Sequence, residues 1–199
     1  MNETFQIKKK IALEKLNQAL ELKRVDLEVL DLINLINSFP DYYTTSSCAG
    51  RIVILTKDSF RGKYSANFVF KKHGITSFDE LHSSLEPASL NDYKKMYFNV
   101  EPPTFHIAAK SLEDAIKIHE LAISSEVAMG YSMFKTIKKT IVVEIRGTGM
   151  LQVPIGQDNQ LKIDNEYLKF ILELGNNILA DEQKRMSNLY NELQVWKSS

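Results

Sequence analysis

The chain has 199 residues, a size that suits one domain or two small ones and leaves room for a sizeable buried core. With 44% hydrophobic and 25% charged residues it reads as soluble and globular, and no apolar run nears the roughly 18 residues needed to span a bilayer. Lys+Arg and Asp+Glu are equal at 25 each, so no global positive charge marks a nucleic-acid binder, and the single cysteine excludes an internal disulfide and a multi-cysteine zinc site.

In chain order, residues 1–10 are polar and hold Lys8-Lys9-Lys10 without an apolar signal core, which predicts a cytoplasmic protein. Residues 3–22 predict a helix, because Ala12, Leu13, Leu16, Ala19 and Leu20 recur at steps of three and four. A second helix is expected from Asp26, a candidate N-cap, through Leu27, Leu30, Ile33, Leu35 and Ile36. It should stop before Pro40, since the residue preceding proline avoids helical backbone. The segment Thr44-Thr45-Ser46-Ser47-Cys48-Ala49-Gly50-Arg51 follows. Small polar side chains pack poorly and disfavour helix, so it reads as a polar turn feeding a strand at 51–56. A strand at 64–72 is expected to pair with that strand through a turn containing Gly62. Residues 75–91 read as irregular with one short helix.

Strands at 95–100 and 104–109 flank Pro102-Pro103, which cannot lie inside a central paired strand and so predicts a corner or bulge. Residues 111–125 give the clearest helix, with Ser111 and Asp114 resembling a capping box and an apolar stripe of Leu112, Ala115, Ile116, His119, Ala122 and Ile123. Strands at 139–145 and 150–154 are expected to be joined by a short reversal at Gly147 and Gly149. A long helix over 164–196 follows, with Leu168, Ile171, Leu174, Ile178, Met186, Leu189, Leu193 and Trp196 on one side and Gly175 as a point of weakness. Strands do not alternate regularly with helices. The expectation is therefore an α+β fold, one domain over residues 1–199, with a mixed, largely antiparallel sheet flanked by helices and long N- and C-terminal helices.

Several residues suit chemistry. Arg51 offers planar, multidentate donors for a carboxylate or phosphate, and Gly50 lets backbone approach a ligand closely. Ser46 and Ser47 supply hydroxyl donors. Cys48 is a nucleophile only beside a base, and a lone cysteine among small residues is more often a packing residue. His106 carries an imidazole, a side chain suited to proton movement, although a histidine on a strand is also often half-buried and structural. His73 follows Lys71-Lys72. His119 lies on an apolar stripe and reads as structural, and His82 has no evident partner. Arg146-Gly147-Thr148-Gly149 is too short for a dinucleotide fingerprint. Two local basic groups, Lys57, Arg61, Lys63, Lys71 and Lys72, and Lys135, Lys138 and Lys139, read as an RNA surface or equally as solvated faces.

Thr44 through Arg51 fill the pattern Ser/Thr, any, Ser, Ser, Cys, any, Gly, Arg without a mismatch. Further matches come in order: Lys23 to Asp26, the basic run ending at His73, Glu101-Pro102-Pro103-Thr104-Phe105-His106, Arg146-Gly147-Thr148 and Val153-Pro154. On these motifs the chain resembles the wybutosine-synthesising tRNA methyltransferases of archaea and eukaryotes over residues 12–196. The resemblance implies S-adenosylmethionine as cofactor, bound without a glycine-rich loop. It also implies methylation of N4 of a tricyclic guanosine derivative 3′ of the anticodon, in the anticodon loop of phenylalanine tRNA. It implies Asp26 and His106 as catalytic, and Thr44, Ser46, Ser47, Cys48, Gly50, Arg51, His73, Arg146 and Thr148 as binding residues. Neither a metal nor a membrane contact is implied, and oligomeric state is left open. Tyr42, Tyr43 or Phe105 would stack on the unstacked base. The chain departs from the family at Ser125-Glu126-Val127, where Ala/Ser-Gly-Phe is usual, and at Arg146-Gly147-Thr148, where many members have Arg-Ser-Thr. It also lacks the family's Trp at Asn67-Phe68-Val69-Phe70. A non-catalytic RNA- or nucleotide-binding module is the main rival, and a Cys48-dependent hydrolase a distant third.

Overall fold

The structure is a computed structural model and describes residues 2–57, 66–85, 93–127, 133–137 and 140–198. In chain order the elements are α1 (Asn2–Glu21), a 3-10 turn (Leu27–Val29), α2 (Leu30–Ser38), β1 (Tyr42–Cys48), β2 (Arg51–Lys57), β3 (Ala66–His73) and α3 (Phe78–Ser83). Then follow β4 (Lys95–Glu101), β5 (Thr104–Ala109), α4 (Leu112–Ser124), β6 (Met133–Ile137), β7 (Thr140–Arg146), β8 (Leu151–Gln157), β9 (Gln160–Leu161) and α5 (Asn165–Ser198). The α+β class, antiparallel pairing and long terminal helices match the expectation. The strands divide between two sheets, of order β1-β5-β7-β6 and β3-β2-β4-β8-β9. Contacts group the chain into two compact units: residues 1–49, 103–148 and 182–199, and residues 50–102 and 149–181.

The first unit is built on the four-stranded sheet. Side chains alternate across a strand, so Phe105 and Ile107 face one way while Ala108 faces the other. Phe105, Ile107, Val143 and Ile145 join Ile33 and Ile36 of α2, Ala115 and Ile118 of α4, and Met186, Leu189 and Leu193 of α5. On the opposite face, Tyr43, Ala108 and Val142 pack with Phe5 of α1. Fully burying a side chain of this size is worth about 1.5–3 kcal/mol, which makes these two faces the main stabilisers of the unit. Lys9 of α1 is buried as well and donates to the Phe39 carbonyl. Burial pushes its ammonium pKa down, partly opposed by Asp41.

α1 closes with Lys23 left-handed at φ 53°, Lys23 N donating to Leu20 O (3.0 Å) and Arg24 N to Ala19 O (2.9 Å). Ser111 caps α4 by accepting from Asp114 N at 3.1 Å. The buried face of α4 is Ala115, Ile118 and Ala122, whereas Leu112, Ile116 and Ile123 are exposed. The expected stripe is thus rotated, with Ile118 taking the place of Leu112, Ile116 and Ile123 against the core and Ala115 and Ala122 beside it.

The second unit places Ile52, Ile54, Phe98 and Val100 against Leu168, Ile171, Leu172 and Leu179 of α5. Gly175 is no weakness: α5 runs unbroken, and a Cβ there would meet Val100 Cγ2 at 2.9 Å and Phe98 Cζ at 3.2 Å. The glycine is what lets helix and sheet come this close. α3 starts with a capping box between Ser77 and Glu80. Asp158 (φ 49°) and Asn159 (φ 59°) form the two-residue turn between β8 and β9, a conformation that matches strand twist and suits Asp and Asn.

Two further expectations are corrected. The Ser/Thr-rich segment is a strand, β1, paired along β5, rather than a turn. β7 and β8 lie in different sheets, so Gly147 and Gly149 carry the chain from one sheet to the other instead of reversing it. Pro102-Pro103 makes the same kind of passage from β4 to β5 and is the corner expected there. β6 and β9 were not anticipated. Gly62, Arg61, Lys63, Lys138 and Lys139 lie outside the described residues.

Candidate functional site

β1 is polar because only part of it needs to be apolar. Tyr42 and Tyr43 anchor its start in the two cores, and the sequence from Thr45 on is free to carry hydroxyls. The register shifts between Thr44 and Ser46, leaving Thr45 as a bulge whose hydroxyl donates to His106 O at 3.2 Å. Beyond the bulge Ser46 stands opposite His106, and His106 opposite Glu144 on β7. Ser46 Oγ lies 3.0 Å from His106 Nδ1, and His106 Nε2 lies 3.4 Å from Glu144 Oε2. The imidazole is therefore fixed from both ring nitrogens, between a hydroxyl and a carboxylate. One rung further, Cys48, Thr104 and Arg146 are paired across the same three strands, which sets Cys48 and Arg146 on the face of His106.

The second unit carries another cross-strand row. Arg51 on β2 stands between His73 on β3 and Glu101 on β4. Arg51 Nε donates to Glu101 Oε2 at 2.6 Å, and its guanidinium lies 5.7 Å from the Phe68 ring centre. Both partners are partly solvated, so the pair adds at most about 1 kcal/mol to stability. Its consequence is geometric: with Nε held, the guanidinium plane is oriented and its Nη groups are presented as a pair. Gly50, at φ 84°, occupies a conformation costly to other residues, which explains glycine next to Arg51.

The other expected residues are placed as follows. Thr44 is buried, its N–H donating to Asn37 Oδ1 (2.8 Å) and its hydroxyl paired with the same amide, which pins β1 to α2. Ser47 stands opposite Phe105, one position off the His106 row. Asp26 does not cap its helix; its carboxylate accepts from Ala49 N at 2.9 Å instead and holds the end of the strand. Thr148 is fastened at both ends, N–H to Glu182 Oε1 and hydroxyl from Arg185, each 3.1 Å. His119 is half-buried on α4 and His82 lies beside the Phe78 ring. Tyr42 and Phe105 are core side chains, 2% and 0% exposed, so neither is available to stack on a base. Tyr43 is held against Phe5, ring centres 5.1 Å apart.

Sequence reasoning missed Glu144 and Glu182. Glu144 precedes Arg146 by two on a strand, which puts both on one face. Glu182 lies four residues before Met186, within the apolar stripe of α5, where a carboxylate signals a buried partner.

The methyltransferase TYW3 family model matches residues 7–195. A curated relative is the tRNA(Phe) 7-((3-amino-3-carboxypropyl)-4-demethylwyosine(37)-N(4))-methyltransferase 2 of Pyrococcus furiosus, 36% identical over 189 residues, or 95% of this chain and 89% of that protein. A methyltransferase named for the same substrate in Thermococcus sibiricus is 36% identical over 194 residues, 97% of this chain and 96% of that one. The solved structure of PH1069 from Pyrococcus horikoshii matches with a TM-score of 0.87 at 33% identity, over 96% of this chain and 97% of its own.

Proposed function

The chain belongs to the methyltransferase TYW3 family, and from that premise we propose that it methylates N4 of the tricyclic guanosine derivative beside the anticodon of phenylalanine tRNA, using S-adenosylmethionine in the cytoplasm. It is a methyltransferase, which sets aside both the non-catalytic binding module and the Cys48-dependent hydrolase. S-adenosylmethionine supplies an electrophilic methyl group on sulfonium. Arg51 fits its carboxylate end, since a guanidinium held at Nε by Glu101 keeps paired Nη donors for such a group.

The Ser46–His106–Glu144 row carries the chemistry. A ring nitrogen that gains a methyl must shed its proton. With Nε2 protonated toward Glu144, His106 Nδ1 accepts from Ser46. The Ser46 hydroxyl takes the substrate proton as it passes its own to Nδ1, and the imidazolium so formed faces the Glu144 carboxylate. Asp26 and Thr44 serve by fixing the two ends of the strand that presents Ser46.

The test is cofactor titration and methyl transfer to tRNA carrying the demethylated precursor. Arg51→Ala should lose cofactor affinity. His106→Ala should keep it, with an unchanged circular-dichroism spectrum, and lose transfer by about 100-fold or more. Full activity in His106→Ala removes the relay, and no transfer by the wild-type protein refutes the reaction.

A further inference from the structure

We propose that the cleft between α1 and β1 is where the RNA strand lies, with Lys8, Lys15 and Arg24 holding the phosphates around the target nucleotide. This rests on the tRNA reading above and names the surface that delivers the base to Ser46.

The cleft has a volume of about 520 Å³ and is bordered by Lys8, Lys15, Arg24, Ser46 and Ser47 over an apolar floor that includes Leu16. It is polarised in a chain whose net charge is zero. Among the described residues, three cations line it and no carboxylate does. Two other cavities have the opposite character among the described residues: one is lined by Glu28 and Asp31 without a cation, the other by Lys117 with Glu120 and Glu192. Lys15 and Arg24 are exposed and take part in no ion pair among the described residues. Lys8 donates to the neutral Thr140 hydroxyl at 2.6 Å, which orients its charge.

Placement follows from the helix. Lys8 and Lys15 are seven residues apart, close to two turns, so they share a face about 10 Å apart. Arg24 reaches the same cleft because the left-handed residue Lys23 ends α1 and turns the chain back. Three cations spread along a groove suit a repeating anion, whereas a single carboxylate needs one. Three lysines on the second unit's strands are engaged elsewhere: Lys72 with Glu80, Lys57 over Tyr97 and Lys71 over Phe68. Ser46 belongs both to the cleft wall and to the His106 row, so a base entering from this strand meets the proton relay.

The experiment measures tRNA binding against salt concentration for the wild type, Lys15→Ala, Arg24→Ala and the double variant, with cofactor affinity measured alongside. Each lost phosphate contact should lower the slope of log K against log salt by about 0.7–0.9. The double variant should bind tRNA about 10-fold or more weakly and show a raised KM for tRNA at a retained kcat. Its cofactor affinity should stay within about twofold, and arginine at position 15 (Lys15→Arg) should restore the slope. An unchanged slope in the double variant overturns the proposal. So does loss of cofactor affinity with tRNA binding intact, which would assign these cations to the cofactor carboxylate. A wild-type protein that binds tRNA without methylating it refutes the reaction alone, and the slopes still decide the cleft. One that binds no tRNA overturns both.

Discussion

Glu126 sits after α4 with φ 61°, its N–H donating to Ile123 O at 3.0 Å and Val127 N to Ala122 O at 3.1 Å. This is the left-handed helix stop at which glycine costs least. The family's usual glycine at this position therefore has a backbone reason, and this chain bears strain there. Left-handed backbone costs a side-chain-bearing residue about 1–2 kcal/mol, and glycine's extra unfolded-state freedom costs about 0.5–1 kcal/mol. Glu126→Gly should thus stabilise the protein by about 0.5–1 kcal/mol, read as a rise of about 2 °C in Tm. An unchanged or lower Tm would show the strain is absorbed elsewhere. At this scale much of the site was legible. Arg51 and His106 stand out by chemistry and motif, and pairing places each beside a carboxylate. Their partners are matters of register: Glu144 is opposite His106 only because β5 and β7 align as they do.

Elements were legible where periodicity is intrinsic, as in α1, α2 and α5. β1 was not, because its hydroxyl-rich end has weak strand preference of its own and is made a strand by its pairing with β5 and by Asn37 bonding Thr44. Short α3 is set by its cap. Hydrogen bonds from Lys72 and then from Ser77 hold the Glu80 carboxyl down to about 2, against an ordinary 4.5. A carboxylate with a lowered folded pKa contributes its stabilisation above the unfolded value and loses it as pH falls toward the folded one. The start of α3 should accordingly fray between pH 4.5 and about 2. Carbon chemical shifts of Leu81 and His82 would report the change. In Glu80→Gln the response in that window should vanish, and a response that persists would place its origin in another group.

For the whole molecule, the expectation of one domain becomes a prediction about how cooperatively the two compact units unfold. The chain passes between the two compact units three times by short links, at residues 49–50, 102–103 and 148–149, and a fourth time inside α5, between 181 and 182. Fraying at that point would break a continuous helix as well as both cores. We therefore expect a single unfolding transition, with calorimetric and van't Hoff enthalpies equal and with Trp196 fluorescence coincident with helix loss. Two separated transitions would show that the units fold alone. The shared helix also bears on birth at the ribosome. Leu168, Ile171, Leu172 and Leu179 complete one core, while Met186, Leu189 and Leu193 complete the other. A nascent chain emerging vectorially carries all nine described strands before either core has its last wall. The usual order, in which an N-terminal portion folds while the rest is being made, is closed to it. Both cores wait, each short of its last wall, for one helix, and the interval before it arrives is when this protein most needs a chaperone.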